Sequence, residues 1–421
     1  MGLASFIGQL EKAGRLKRVK EEVSTDQEMA AIMARHGGTP LLFEKVKGSG
    51  YPVAANLCSS RELVSIGLGM PAEKMVKAMA EAIDSPKGPE TREADHREIE
   101  PDLEKLPILF HYPKDGGRYM SSSIIIANDK EHGLNASYHR IMVLGKDRAV
   151  LRILPRHFDE YIKRGLKEFA VCIGSDPQVQ ATAGISCEIG KSELSIANSL
   201  KKTGLVKLAG HMVPDSDFVI IMEFTGEEAD EGPFVDLTGT YDIVRKQRVA
   251  RVKKVFAKPN AVYHALLPGG LEHKVLMGMP KEPTMYREVS KACDCRDVLL
   301  TPGGCSWLHG AVKISKKGPE DGKKAIEAAF RGHKSMKHVI VVDDDIDISD
   351  PLDLEWAVAT RVQADKDVIM RPNEKGSSLD PSSNLETRET AKVGIDATIP
   401  SDRKESDFKR AEFSLKTDKE L

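Results

Sequence analysis

Aromatic residues, long apolar runs and an excess of either charge are all scarce in this sequence. Aromatics make up 5% of the 421 residues, with two tryptophans, which argues against a surface that binds nucleic acid by stacking its bases. The 62 lysines and arginines almost cancel the 64 aspartates and glutamates, and the net charge is −2. A chain so balanced has no overall attraction for nucleic acid or for an anionic membrane, and we expect neither as a partner.

The apolar runs and the cysteines argue against two further classes of protein. The longest runs, such as 218–222 and 339–342, are as long as a strand, whereas a membrane-spanning helix needs about 20 apolar residues. The first residues show no signal-peptide pattern. Six cysteines do not make a disulfide scaffold, and Cys293, Cys295 and Cys305 lack a fourth ligand at zinc-finger spacing. We expect a cytoplasmic protein with reduced thiols.

The remaining composition is that of a globular enzyme-sized chain. Hydrophobic residues make up 40% and charged residues 30%, and the length favours two or three domains. Residues 1–105 alternate helix and strand patterns, residues 106–285 are rich in strands, and the α/β alternation returns over 286–421. We predict a multidomain α/β and α+β fold with these boundaries and a central barrel or sandwich. The charged segment from Asp402 is predicted to be a tail or a docked terminal helix.

The central region carries the clearest strand patterns. Five β-rich runs separated by turns are typical of a barrel or sandwich: 122–127, 141–144, 150–154, 218–224 and 249–256. Two helices are predicted there, one after Asp159 and one over 192–202.

Three polar residues of the central region could share one metal ion. Asn135 opens the stretch Asn135-Ala136-Ser137-Tyr138-His139-Arg140, His157 follows the strand predicted over 150–154, and Glu193 lies at a predicted helix start. An amide oxygen, an imidazole and a carboxylate suit Mn²⁺ or Mg²⁺. The spacing alone is also explained by a capping asparagine, a surface histidine and a glutamate in a first helical turn.

Two acids of the central region flank a rigid turn. Glu231 and Asp236 lie five residues apart on either side of Gly232-Pro233, and such a turn can direct both carboxylates into one cavity as an acid and base pair. Three further acids precede the turn, so a solvated loop is the simpler alternative on spacing alone. No GxxxxGK[ST], GxGxxG or GxSxG motif occurs.

Taken together, these features resemble the UbiD family of decarboxylases, which use prenylated FMN. The resemblance extends over nearly the whole chain. Its motifs are 135–140, Arg152-Ile153-Leu154 with Arg156 and His157, Ser192-Glu193, 231–236 with Thr238-Gly239, 302–306, 341–345 and 394–398.

The resemblance implies an N-terminal α/β domain, a central split β-barrel like that of flavin reductases, and a C-terminal α/β domain. It also implies that Asn135, His157 and Glu193 hold Mn²⁺ (or Mg²⁺) against the flavin phosphate, with K⁺ beside it in many members. The cofactor-binding residues carried over from the family are Asn135, Ser137, Tyr138, His139, Arg140, Arg152, Ile153, Leu154, Arg156, His157 and Glu193.

By the same resemblance, Arg140, Glu231 and Asp236 form the catalytic network over the flavin. Arg140 would pair with Glu231, and one of the two acids would protonate the carbon that has lost CO₂. The residues do not decide which acid does so. Many members have glycine before the second acid, and Val235 stands there in this chain, which restricts the backbone beside Asp236.

The short chain resembles the archaeal members of the family assigned to the mevalonate pathway. Their substrate is an unsaturated carboxylic acid, trans-anhydromevalonate 5-phosphate, which loses CO₂ to give isopentenyl phosphate. A substrate phosphate needs cationic or N–H donors, and His111, Lys114 and Arg118 are candidates, although a solvated loop explains them equally. The implied partners are a flavin prenyltransferase that supplies the cofactor and further copies of the chain.

Three other functions stay open at this point. The protein could decarboxylate an aromatic acid such as a 4-hydroxy-3-polyprenylbenzoate, or it could carry flavin without turnover, although a carrier has no need of an acid pair. A flavin oxidoreductase is disfavoured because no nicotinamide-binding motif is present.

Overall fold

A computed structural model describes residues 2–384 and 386–411. The chain divides into two compact units. The N-terminal unit takes in the described residues up to Thr284 together with Pro302–Trp307, and the C-terminal unit takes in Met285–Thr301 and the described residues from Leu308. All six cysteines are free thiols.

Twelve α-helices lie in the described part of the chain, and none of them has the length and apolar character that a membrane crossing requires. Their bounds are α1 Leu3–Lys12, α2 Glu28–Arg35, α3 Arg61–Leu68, α4 Met75–Asp84, α5 His157–Lys163, α6 Pro177–Thr182, α7 Glu193–Leu200, α8 Leu271–Gly278, α9 Glu282–Ala292, α10 Asp321–Gly332, α11 Pro351–Arg361 and α12 Ala364–Asp367.

The strands of the described residues form five sheets. Their bounds are β1 Lys17–Val23, β2 Leu41–Val46, β3 Val53–Ala55, β4 Glu90–Arg92, β5 Arg97–Ile99, β6 Tyr119–Met120, β7 Ile124–Asp129, β8 Gly133–Tyr138, β9 Ile141–Val143, β10 Arg148–Leu151, β11 Glu168–Ile173, β12 Gly204–Leu208, β13 His211–Pro214, β14 Phe218–Glu231, β15 Phe234–Val235, β16 Tyr241–Asp242, β17 Arg245–Ala257, β18 Tyr263–Ala265, β19 Cys295–Leu300, β20 His309–Ile314, β21 His338–Val342, β22 Val368–Lys375 and β23 Glu389–Asp396.

The first sheet joins residues that are far apart in sequence. Its order is β1-β2-β3-β18, and β18 pairs in parallel with β3 through Tyr263 and Val53. Helix α1 covers apolar side chains with Leu3, Phe6, Ile7 and Leu10, all of which are buried, as their helical spacing predicts. Strands β4 and β5 pair with strands far along the chain, β12 and β17.

A nine-stranded sheet forms the centre of the N-terminal unit. Its order is β6-β9-β10-β17-β14-β11-β7-β8, with β5 on β17. All five strands predicted for this region are confirmed, and so are both helices, as α5 and α7. The end strands β6 and β8 do not pair with one another within the described residues, so the sheet is open and no closed barrel is formed.

A long antiparallel ladder brings the candidate acids to one end of this sheet. Strands β14 and β17 pair from Phe218 opposite Ala257 to Glu231 opposite Arg245. The segment between their ends, residues 232–244, folds into the small β15-β16 ladder. Because Glu231 is the last residue of β14, the register of a central ladder sets its position.

The C-terminal unit has a five-stranded sheet of order β19-β20-β21-β23-β22. Helix α10 packs against it with its apolar face, which includes Ile326 and Ala329. At the C-terminus, a short 3₁₀ turn spans Glu405–Phe408 and Arg410 pairs with Asp353. The tail or docked helix predicted from Asp402 has only this 3₁₀ turn in its described half, and its residues 412–421 lie outside the described residues.

Two glycines allow a loop to approach the acid-bearing turn. Gly116 donates its backbone N–H to Pro233 O at 2.8 Å, and a Cβ on Gly116 would lie 2.1 Å from Gly232 O. Gly232 itself has φ 102°, a conformation that favours glycine. No side chain fits between these two segments without moving the backbone.

We expect Gly116→Ala to displace the turn and to lower the free energy of unfolding by about 1–3 kcal/mol, as overpacking usually does. Gly117→Ala is the matched control, because its Cβ would meet the flexible side chain of Met142 at 3.2 Å. Thermal melting of both variants checks the prediction. Equal melting temperatures would contradict it.

Candidate active site

Arg140 is the centre of a buried cluster of carboxylates. Its Nε and Nη2 donate to the two oxygens of Glu231 at 2.8 and 2.9 Å, and its Nη1 donates to Asp236 Oδ2 at 3.0 Å. The side chain of Glu231 is 0% exposed and that of Arg140 is 9% exposed. The three residues assigned from sequence to one network therefore lie in direct contact.

A third carboxylate, Asp242, joins this cluster and was missed from sequence. It accepts from Arg140 Nη2 at 2.9 Å and forms two hydrogen bonds with Arg245, at 2.7 and 2.8 Å. Burial would raise the pKa of Asp242, but the hydrogen bonds and charges of Arg245 and Arg140 lower it to about 2. Asp242 is therefore ionised at any physiological pH and helps to neutralise Arg140.

Two aromatic residues hold Arg140 and Glu231 in place. The hydroxyl of Tyr119 donates to Glu231 Oε1 at 3.1 Å, and the Arg140 guanidinium carbon lies 4.6 Å from the centre of the Phe234 ring. Burial would lower the pKa of Arg140, but the hydrogen bonds and charges of its carboxylates outweigh burial and raise it. The guanidinium is permanently charged and held in one orientation.

His273 is a second residue of this region that sequence reasoning missed. The backbone N–H of Gly269 donates to its Nδ1 at 3.0 Å, so the proton of the neutral ring is on Nε2. Burial lowers the pKa of His273. The negative charge of Asp236 opposes this effect, and the positive charge of Arg140 adds to it. It is a neutral N–H donor beside the acids. No local motif marks it in the sequence.

Asp115 closes the turn that begins at Tyr112. Its Oδ2 accepts the backbone N–H of Tyr112 at 3.1 Å, and its own backbone N–H donates to Tyr112 O at 3.0 Å. Burial raises the pKa of Asp115 to about 6, against the backbone hydrogen bonds that lower it. Asp115 thus holds the loop that precedes Gly116 in shape.

Asn135 and Glu193 meet in a second polar cluster. Asn135 Nδ2 lies 3.1 Å from each oxygen of Glu193, and the backbone N–H of Ala136 donates to Glu193 Oε2 at 2.9 Å. Ser192 caps helix α7 by accepting from Leu194 N, which places Glu193 in the first turn. Burial raises the pKa of Glu193 to about 7. This carboxylate is 2% exposed and its hydrogen-bond partners are uncharged.

His157 lies on an adjacent element. It is the first residue of α5, which packs against β8, the strand that carries Asn135. The hydrogen bonds between Asn135 and Glu193 do not include His157, and burial lowers the pKa of its ring. A neutral imidazole is the form that binds metals. The structure joins two of the three predicted ligands directly and places the third on the neighbouring helix.

Lys281 adds a buried amine that the sequence did not reveal. Its Nζ donates to Gly184 O at 2.7 Å and to Ser186 Oγ at 2.6 Å, which are both neutral acceptors. Burial and the charge of Arg156 lower the pKa of Lys281, to about 7, against the opposing effect of Cys187 and Glu193. A bound anion would favour the charged form of Lys281, so Lys281 and Arg156 are suited to hold one.

The other residues expected to bind cofactor lie at or just after the ends of β8 and β10. His139 Nδ1 is 3.0 Å from Arg152 O and its Nε2 is 3.1 Å from Ser137 Oγ. Tyr138 donates its hydroxyl to Gln180 O and is turned into the core. Ile153 donates its backbone N–H to Gln247, and Leu154 is 39% exposed.

The three candidates for a substrate phosphate are in different environments. His111 is buried, and burial lowers its pKa to about 3, so it is uncharged at neutral pH. Lys114 and Arg118 are exposed. The structure thus leaves the two exposed cations as charged candidates.

Comparison with known families assigns most of the sequence. Three models match in order: the N-terminal domain of 3-octaprenyl-4-hydroxybenzoate carboxy-lyase over 7–83, its Rift-related domain over 82–271 and its C-terminal domain over 274–397. A curated relative from Methanothermobacter thermautotrophicus, named anhydromevalonate phosphate decarboxylase, is 40% identical over 91% of this chain and 93% of its own length.

Solved structures agree with the sequence comparison. The UbiD-class enzyme HmfF from Pelotomaculum thermopropionicum, in complex with FMN, has a TM-score of 0.93 at 35% identity and covers 98% of both chains. An evolved dimeric form of that enzyme, in complex with prFMN, has a TM-score of 0.89 at 33% identity, covering 98% of this chain and 97% of its own. With matches from residue 7 to 397 and this shared fold, the chain belongs to the UbiD family of carboxy-lyases.

Proposed function

We propose that this enzyme removes CO₂ from trans-anhydromevalonate 5-phosphate and releases isopentenyl phosphate. The observation that carries the proposal is the buried contact of Arg140 with Glu231 and Asp236, in a chain that is 40% identical to a decarboxylase named for that substrate. An arginine can hold a substrate carboxylate, and a carboxylic acid can return a proton to carbon.

The described residues fit a flavin phosphate and a metal ion. Lys281, whose hydrogen-bond partners are neutral, and Arg156 can supply positive charge to a bound phosphate, and Glu193 supplies a buried carboxylate that lacks a cationic partner in its cluster. A phosphate and a divalent ion would satisfy both. We propose that prenylated FMN binds here, supplying the electron sink for decarboxylation.

We propose that Asn135, His157 and Glu193 hold the divalent ion, as Mn²⁺ or Mg²⁺, with K⁺ beside it. An amide oxygen, a neutral imidazole and a carboxylate suit such ions. The direct contact of Asn135 with Glu193 and the position of His157 on α5 support the grouping. The remaining cofactor residues, Ser137 to Arg140 and Arg152 to Leu154, connect this cluster with the acids.

The surroundings of the two acids suggest different roles. Both oxygens of Glu231 bind Arg140, and the residue is fully buried. One oxygen of Asp236 accepts a hydrogen bond from Arg140, and the other accepts one from the backbone N–H of Leu237. The Asp236 side chain is 20% exposed. We propose that Glu231 orients Arg140 and that Asp236 delivers the proton, with His273 as a neutral donor nearby.

We further propose that the open nine-stranded sheet is the split barrel of flavin reductases. Its strands β8 and β14 carry Asn135 and Glu231, so one sheet would hold residues of both the metal cluster and the acid cluster.

A flavin prenyltransferase is the proposed source of the cofactor. A homo-oligomer is also proposed, to be checked by light scattering against the chain mass of 46.2 kDa.

The substrate is tested with protein co-expressed with a flavin prenyltransferase. We expect CO₂ release from trans-anhydromevalonate 5-phosphate, and much less from its dephosphorylated form, because the phosphate supplies binding energy that the truncated acid lacks. The family models carry the name of an aromatic acid carboxy-lyase, so a 4-hydroxy-3-polyprenylbenzoate is the third substrate. Turnover of that acid alone would overturn the proposed substrate, and release from none would favour a flavin carrier.

The proton donor is tested by replacing each acid. Asp236→Asn should retain prenylated flavin and lose on the order of 10²-fold or more in kcat, since general acid catalysis contributes about that much. Glu231→Gln should also lose turnover because it breaks the two-point contact with Arg140. Asp230→Asn is the control, as Asp230 is 63% exposed and pairs with Lys246. Near-normal kcat in Asp236→Asn together with loss in Glu231→Gln would assign the proton to Glu231.

The metal proposal is tested by Glu193→Gln. The variant should fold and melt normally but bind less divalent metal and less flavin, because it loses the one anionic ligand of the set. Glu188→Gln serves as the control, since Glu188 is 84% exposed in the same segment. Metal content and flavin absorbance per chain are the measurements. Unchanged flavin content in Glu193→Gln would show that the metal does not help to hold the cofactor.

A further inference from the structure

A second group of metal-ligand residues lies outside the active site. Asp95, His96 and Asp215 each offer an atom, and these atoms all lie within 4.8 Å of one another. Asp95 and His96 precede β5, and Asp215 follows β13. The group shares no residue with the proposed cofactor and acid clusters, and the reaction does not use it.

The hydrogen bond made by one ring nitrogen of His96 leaves the other nitrogen facing the carboxylate of Asp95. Its side chain is 0% exposed, and its Nε2 lies 2.7 Å from the carbonyl oxygen of Ser216. Since a carbonyl only accepts, Nε2 carries a proton. Nδ1 is buried without a hydrogen-bond partner in the described residues, 3.6 Å from Asp95 Oδ1. In a neutral ring, the lone pair on Nδ1 and the carboxylate repel each other unless a cation lies between them.

Asp215 already has one cationic partner. Lys258 pairs with Asp215 Oδ1 at 2.7 Å, which leaves the second oxygen for another cation. Asp95 adds a second carboxylate on the side of His96.

We propose that Asp95, His96 and Asp215 bind a divalent transition-metal ion of the Zn²⁺ class. One imidazole and two carboxylates are a common ligand set for Zn²⁺, and two ligands about 2.1 Å from a tetrahedral ion stand about 3.4 Å apart, close to the 3.6 Å found between His96 and Asp95. A metal-bound histidine usually donates its other N–H to a carbonyl or carboxylate, as His96 does to Ser216.

The position of the group suggests what the ion does. Asp95 is 68% exposed, which gives the ion a route from solvent and leaves room for a water ligand. Its ligands belong to the segment between β4 and β5 and to the turn after β13. A bound ion would cross-link these two segments, so its role would be to stabilise the N-terminal unit rather than to take part in the reaction.

The test measures bound zinc in flavin-loaded protein. Zinc content per chain and the affinity for Zn²⁺, by competition with a chelating dye, are determined in excess Mg²⁺, which prefers all-oxygen sites. Asp95→Asn and His96→Gln should each lose about one equivalent of zinc or at least tenfold in affinity. His211→Gln is the control, since His211 also faces a carboxylate, at 3.7 Å, but Glu168 already pairs with Lys253.

Thermal melting gives a second readout. Zn²⁺ should raise the melting temperature of the wild type and of His211→Gln, because a ligand that binds only the folded state stabilises it, and should not raise that of Asp95→Asn. Asp95 is exposed, so this variant decides the matter even if His96→Gln folds poorly. Equal zinc content and affinity in wild type and Asp95→Asn would overturn the proposal.

Discussion

The two-point contact between Arg140 and Glu231 is the interaction on which the site depends. Both side chains are nearly or fully buried, and a buried ion pair is tolerated only when its remaining hydrogen-bonding groups are satisfied. Asp236, Asp242, Tyr119 and the ring of Phe234 meet that requirement from two further segments. Removing either charge would leave the other uncompensated in the core, so the cluster holds the acid-bearing segment as well as the proposed substrate site.

The ladder between β14 and β17 connects this cluster to the rest of the fold. It sets Glu231 opposite Arg245, and Arg245 in turn binds Asp242. The hydrogen bond from Gly116 N–H to Pro233 O fixes the other side of the segment. The positions of Glu231 and Asp236 are therefore set by the register of the backbone strands and by close backbone contacts, which leave little freedom to their side chains.

The sequence predicted the individual strands of the central sheet better than it predicted which strands pair with one another. Strands such as β14 and β17 have strong β-rich patterns, but β11 escaped notice although it lies between β14 and β7. The motif residues Arg140, Glu231 and Asp236 were identified because they lie in ordered patterns. Asp242, His273 and Lys281 were not, since each reaches the site through long-range folding and no local spacing marks it. Whether the sheet closes depends on the pairing of its end strands, which no single segment reveals.

The pairing of β18 with β3 has a consequence for how the chain folds while the ribosome makes it. The first sheet receives its last strand from residues 263–265, and Lys281, which binds Gly184 and Ser186, comes later still. A ribosome that has released only the first hundred residues has made three of the four strands of that sheet. The nascent chain must keep an unpaired β3 edge protected until β18, which ends at Ala265, has emerged, which makes this edge the natural place for a chaperone to act during translation.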